Sequence, residues 1–458
     1  MDLLKPFEPT LEDPWDEAKA AHLARRAGFG ATPDEIAHLV ELGPAGAVAH
    51  FVDFPDRDDV LEERIEREGS GIRYGGSGGG IRREWFLRMV HGAHPLREKL
   101  TLLWHDHFAT MESKVEHQGM LQQQLQLLRK HAAGDFSELV YGIARDPAML
   151  VLLDNRLSVA GQPNENWARE LLELYTVGVD NYTQQDIVEL ARIFTGWTTP
   201  DPKVPRFVFD PEIHDTEDKV LFGERVAGRS GKAGIKEAEE AMARILARPE
   251  CPQFVAGKLA AWLGSHTPPA EVVEEVAAVL SENDLSIREA VRALLGSTWF
   301  FAPENRLSMY KNPVELAAGT LRLLEVQNAH LAGLDELTRN MGMDLYEPPS
   351  VAGWEHGEGW VDSGAVVMRF NFALTISELP HSSRTVIGRP AIDLEHLAGE
   401  GNETDQLVDG LAWRLLQRPF DPRRRAALAD HLRTIDDRRD RTRTALHLLL
   451  TTPEYALA

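Results

Sequence analysis

Apolar residues recur along most of the chain at i, i+3, i+4 and i+7, the spacing of one helix face. The pattern is clearest from Pro163 to Trp197. Trp167, Ala168, Leu171, Leu172, Leu174 and Tyr175 mark one helix, with Asn164 placed as its N-cap and Gly178 as its C-terminal glycine. Thr183 to Asp186 has the form of a capping box. The following Ile187, Val188, Leu190, Ala191, Ile193 and Phe194 cover most of a second helix, which predicts its burial. The same period predicts helices over about Trp15–Arg26, from Thr32 with Pro33 at its first position, and over 81–109, 113–131 and 136–145. Downstream it predicts 235–247, 252–264, 270–281, 286–296, 313–325, 331–340, 366–377, 404–417, 422–434 and 440–450.

The period changes once. Arg206–Asp210 and Lys219–Gly223 are short β-type runs, read as a small hairpin carrying His214 and Asp215 on its loop. The expected fold is therefore mainly α, a large multi-helix orthogonal bundle with one small β-hairpin insertion near 205–226. Residues 1–380 form the main helical domain, including that hairpin and a loop at 346–360. Residues 391–458 form a C-terminal helical segment packed on it, with 380–390 as a mobile connection. The 346–360 loop has two prolines, three glycines and two tryptophans, the make-up of an ordered loop that walls a pocket. The glycine-rich stretch at 69–80 lacks both the preceding strand and the Gly-Lys-Ser/Thr ending of a phosphate cradle. It is read as a lid beside a cleft.

Composition narrows the function. The 458 residues carry a formal net charge of −23, which argues against nucleic acid or an anionic membrane as partner. No apolar run approaches the length of a membrane-spanning helix. Cys251 is the only cysteine, so cysteine-ligated zinc and iron–sulfur sites are excluded within one chain, and any metal site must use His, Asp and Glu. The N-terminal stretch has no basic region followed by an apolar one. No signal peptide is expected there, which gives a cytoplasmic location.

Three polar clusters are candidates for chemistry. In the helix after Asn164, Glu165, Arg169 and Glu173 share a face and Glu170 lies beside them. They form either a solvated ion-pair ladder or carboxylates turned inward with Arg169 as counter-charge. In Trp104-His105-Asp106-His107-Phe108, His107 lies on the apolar face and His105 roughly 200° away, so a regular helix cannot aim both at one ion. Asp106 between them could orient a neighbouring group. His214-Asp215 on a loop could supply a ligand and a general base.

These residues carry a resemblance. Arg25–Gly30, Arg97–Leu100 with Trp104–Ala109, Pro163–Leu174, Tyr182-Thr183, Phe194–Trp197, His214-Asp215 with Lys219 and Gly223, Lys311–Glu315, Glu347–Trp354, Arg369–Asn371 and Thr452–Tyr455 resemble, in order, the signatures of the bacterial family called domain of unknown function 1800. The resemblance implies no settled activity. It implies frequent company with a second family that looks like sulfatases and alkaline phosphatases, and members that are often exported.

Two functions follow. The first is an enzyme with a His/carboxylate, hydrolase-like site in a helical core. Glu170, Asp215 and Arg169 would be its catalytic groups, and His107, Glu173 and His214 would be ligands to a divalent metal ion. The second is a non-catalytic accessory protein acting with a sulfatase-like partner, its polar signatures being internal hydrogen-bond networks.

Overall fold

The computed structural model describes residues 3–69, 79–201, 204–328, 333–382, 390–401 and 403–458. Most of the glycine-rich stretch read as a lid and most of the 380–390 connection lie outside the described residues. The protein is mainly α, 61% helical, with two small two-stranded sheets among the described residues.

The helix signals in the sequence translate directly into caps. Thr32 and Glu35 form a reciprocal capping box at helix Pro33–Val52, and Thr183 and Asp186 form another at Gln184–Ile193. Gly178 takes φ +81°, and its N–H closes on Leu172 O at 2.9 Å. Two expected helices are divided. The 81–109 span is two helices, Gly79–His91 and Pro95–His107, because Gly92 and the ring of Pro95 interrupt the hydrogen-bond ladder. The 113–131 span is Glu112–Val115 followed by Gln118–Lys130, with Glu116 at φ 53° between them.

The β region differs in pairing. Val208–Phe209 pairs antiparallel with Trp197–Thr198, while Lys219–Leu221 pairs with Glu224–Val226. The hairpin therefore lies within 205–226, but its strands are not the two runs expected to pair. Phe222 and Gly223, at φ 54° and 78°, make a two-residue turn that closes Lys219–Leu221 on its immediate successor.

One contiguous hydrophobic cluster runs from Phe7 to Tyr455 and includes Leu407, Val408, Leu411 and Leu415 of the C-terminal segment. Several side-chain contacts fasten that segment to the rest. Arg414 Nη1 donates to Leu323 O at 2.9 Å, and Gln417 Nε2 donates to Ala31 O at 2.7 Å. No helix among the described residues is long and apolar enough to cross a membrane.

Candidate functional site

Helix Pro95–His107 ends on three polar side chains that reach three different places. His105 is fully buried, and its Nε2 accepts the backbone N–H of Tyr346 at 3.1 Å. Nε2 must then be unprotonated, and burial pushes the imidazole down to about 3, so the ring is neutral. His107 turns the other way, into a cage of Trp104, Phe108, Phe136, Tyr175 and Phe254. There its Nε2 donates to Tyr175 O at 3.1 Å. Burial pushes it to about 3 as well. Asp106 faces the 346–360 loop. Its Oδ1 accepts the Trp354 N–H at 2.8 Å, and its Oδ2 lies 3.0 Å from His356 Nε2. Gly353 makes this approach possible. It sits at φ +88°, where a Cβ would stand 2.4 Å from Asp106 Oδ1.

Asp106 and His356 form part of the wall of a cavity of about 170 Å³. Leu103, Ala261, Trp262 and Trp360 give it apolar walls, and Lys258, His266, Asn312 and Glu315 add polar groups. An apolar cavity with a few convergent polar groups is the form of a small-molecule site. The 346–360 loop supplies His356 and Trp360, as its composition suggested. Burial first, then the nearby Arg26, lowers the His266 imidazole below its ordinary range.

Behind the cavity Glu315 is the hub of a buried ion cluster. Its carboxylate pairs with Lys99 and also caps its own helix, accepting the Asn312 N–H at 3.0 Å. Burial opposes its charge. Lys99, the Asn312 N–H and Arg26 overcome that and hold the carboxyl below its ordinary range. Lys311 lies over the Tyr455 ring at 4.1 Å and donates to Tyr455 O at 2.8 Å. Arg369 donates to Lys311 O at 2.7 Å, Arg26 to Gly264 O at 2.6 Å, and Arg25 to Gln417 Oε1 at 2.8 Å. Burial is the first cause lowering all four cations, Lys311 to about 7, Arg26 to about 9, Arg25 and Arg369 to about 10.

The residues singled out as catalytic groups or metal ligands are not among those that line this cavity. His214 is buried, with Nδ1 donating to Thr195 O at 2.8 Å and Nε2 3.3 Å from Glu237 Oε1. Glu237 in turn holds Lys219 Nζ at 2.7 Å. The ring is closed in by Gly234, where a Cβ would stand 2.6 Å from it. Asp215 pairs with Arg192 at 2.8 Å, and Glu173 accepts the Tyr182 hydroxyl at 2.7 Å. Arg169 is 40% exposed and pairs with Glu165, four residues back, at 3.2 Å. That pair is the solvated ladder that helical spacing allowed. Glu170 is half-buried, its carboxyl raised by burial and by neighbouring Glu173. His107, Glu173 and His214 thus have separate partners. Among the described residues no three His, Cys, Asp or Glu side chains are grouped to hold a metal ion.

The helix that carries Glu170 and Glu173 widens. Asn166–Glu170 is α and Leu171–Thr176 is π, with Val177 N–H reaching Leu172 O at 3.1 Å. Period counting cannot find such a turn, and it offsets side chains after Glu170 from their α-helical positions.

Fold and site together define a mainly α-helical protein whose polar cavity is walled by a carboxylate–histidine pair and backed by a buried cationic cluster. The chain belongs to the family described as "Protein of unknown function (DUF1800)", which matches residues 22–457. No curated protein and no solved structure matches it. His356, His266 and Lys258 were not singled out from the sequence. His356 stands two residues beyond a signature, and the signal that could have found it is the ordered loop itself.

Proposed function

We propose that the chain is a hydrolase-like enzyme in which His356 is the general base and Asp106 orients it. The observation that carries the reading is the 3.0 Å contact between Asp106 Oδ2 and His356 Nε2 at the wall of the cavity. Asp106 is itself fixed by the Trp354 N–H. In this reading Nε2 carries its proton toward the carboxylate, which would leave Nδ1 as the basic atom. It would take a proton from water as the water oxygen attacks an electrophilic centre, and return that proton to the leaving group. Asp106 would stabilise the imidazolium between the two transfers. His356 is 44% exposed, so solvent reaches it. The reading keeps the His/carboxylate chemistry expected from the sequence and rests it on a different pair.

The test is turnover of p-nitrophenyl acetate, phosphate and sulfate by the protein, H356Q and D106N. Loss of a general base costs about 10²–10⁴-fold, so both variants should fall by at least the lower figure. Turnover that survives in both variants rules the pair out. Metal content of the purified protein, compared with that of H107A, tests the His107, Glu173 and His214 set separately. A second reading, the accessory protein with a sulfatase-like partner, is favoured by one observation. Val367, Phe370 and Leu374 are exposed at i, i+3 and i+7 on helix Ser363–Ser377. Loss of a complex with such a partner in F370E would support it.

A further inference from the structure

We propose that the cavity takes a small oxyanion, a substrate bearing a carboxylate, phosphate or sulfate group, drawn in by the cationic cluster around Glu315 and held by donors on the cavity wall. The inference names the substrate class of the site above and rests on that reading only for its location.

Two independent observations point the same way. The first is charge. Lys99 pairs with Glu315; Arg25 and Lys311 line one small space with Glu315 and Ala458, and Arg26 and Arg369 feel the same Glu315 carboxylate, so cations gather here in a protein whose overall charge is −23. Asp106, the other carboxylate at the cavity, is committed to Trp354 N–H and His356. A buried charge without a counter-charge is costly, and the Glu315 carboxylate, already paired with Lys99, does not balance the arginines around it. The second is hydrogen bonding. Trp262 and His266 line the cavity, and Trp262 Nε1 and His266 Nε2 are buried without a hydrogen-bond partner among the described residues. Trp262 is 8% exposed, and its indole N–H can only donate. Arg25 Nε, Arg26 Nε and Arg369 Nη1, in the cluster behind, are also buried donors without partners among the described residues. Natural proteins rarely leave such groups orphaned. The shortage at this site is of acceptors and of negative charge, and an oxyanion supplies both.

The geometry also sets scale. Glu315 belongs to the wall of the 170 Å³ cavity and to that of the small space beside Arg25 and Lys311, so it separates the ligand from the cluster. The cluster acts through its field, and Lys258, on the wall, is the cation in reach of direct contact. A cavity below the few hundred Å³ of a drug-sized site admits a small molecule. The amine of Lys311, pushed down by burial and by the neighbouring cations, would regain its proton as an anion arrives.

The experiment is calorimetric titration with inorganic phosphate, sulfate and acetate, against sodium chloride at matched ionic strength. Protein, K258Q, W262F and H356Q are compared. The expected result is saturable binding of at least one oxyanion, weakened about tenfold or more in K258Q and W262F, a loss typical of a charge-assisted hydrogen bond. No saturable heat with any of the three anions overturns the proposal. So does binding that K258Q and W262F leave unchanged, since the anion then sits elsewhere. Binding retained in H356Q with turnover unaffected would remove the general base and leave the oxyanion site standing. Turnover lost in H356Q without oxyanion binding would do the reverse.

Discussion

Replacing Glu315 by Gln removes one charge and little else, because glutamine at the third position of helix Pro313–Leu323 can still complete the capping box with Asn312. Loss of that cap would cost about 1 kcal/mol, so a larger effect belongs to the charge. Glu315 is the carboxylate partner of Lys99, whose side chain is 3% exposed, and the counter-charge felt by Arg26, Lys311 and Arg369. Removing one member of a buried pair leaves an uncompensated charge and costs about 3–5 kcal/mol. The protein has a partial escape, which gives the test its pH signature. Lys311 titrates at about 7 even with Glu315 present. Its pKa in the fold is depressed below the unfolded 10.5, so the fold disfavours its proton, and stability is lost as pH falls from about 10.5 toward 7. Without Glu315 the depression deepens, and shedding the proton is cheaper at high pH by about 1.4 kcal/mol per unit. Guanidinium unfolding followed by circular dichroism should therefore give a penalty for E315Q of about 3–5 kcal/mol at pH 6 that shrinks by 1–2 kcal/mol, order of magnitude, at pH 9. The double variant K99M/E315Q should recover part of the loss but not all, since Arg26, Lys311 and Arg369 remain. A penalty below about 1 kcal/mol at pH 6, unchanged at pH 9, would show that Glu315 is not the counter-charge of the cluster.

Three further substitutions isolate other steps. Asp146 is buried, accepts Gln124 Nε2 at 2.9 Å and the Met149 N–H at 3.0 Å, and burial raises its carboxyl to about 7. The fold holds that proton more tightly than the unfolded chain, so stability falls as pH rises from about 4 through 7. D146N should gain on the parent by up to roughly 4 kcal/mol across that window, and a gap in unfolding free energy that stays flat with pH would refute it. His107, pushed down to about 3 by burial, does the opposite, its contribution being lost as pH falls below the unfolded 6.5. H107Q keeps a donor for Tyr175 O and should lose roughly 3 kcal/mol less than the parent between pH 7 and 4; parallel acid-unfolding curves would contradict this. G353A forces a Cβ to 2.4 Å from Asp106 Oδ1, whereas G161A carries a similar positive φ with nothing within 4 Å. G353A should cost clearly more than the roughly 1 kcal/mol backbone penalty of G161A and should abolish turnover, and equal melting temperatures for the two would mean that the close approach is unimportant.

Helix boundaries in this chain were legible because their punctuation is local. Thr32 with Glu35, Thr183 with Asp186, and Gly178 each act within a few residues, and each does in the fold what its position in the sequence predicts. The failures are equally specific. Gly92 and Pro95 break a helix that the apolar period carries across them, since the period records burial and not the backbone ladder. Arg206–Asp210 and Lys219–Gly223 read as partners because both are β-type, but pairing depends on which turn can close, and Phe222-Gly223 closes first. The π turn at Leu171–Thr176 leaves no mark in composition.

The site was half legible for a physical reason that His105-Asp106-His107 makes clear. Successive residues at a helix end point in different directions, so a motif that looks like one metal-binding element can be three separate contacts. Here His105 takes the Tyr346 N–H, Asp106 takes the Trp354 N–H and His356, and His107 reaches Tyr175 O. The two histidines are buried, their imidazoles pushed down, and they tie one helix to two distant segments. Asp106 alone reaches the cavity. Its neighbour there, His356, is 250 residues away, and no spacing rule connects them. The same holds for Glu315, whose value lies in Lys99, Arg26 and Arg369, drawn from three other helices. In a mainly helical protein of this size a signature residue is a local mark of a non-local contact. Charge and hydrogen-bond partners have to be counted in three dimensions, around His214 with Glu237 and Lys219 as much as around Asp106 and Glu315, because the spacing of signature residues records neither.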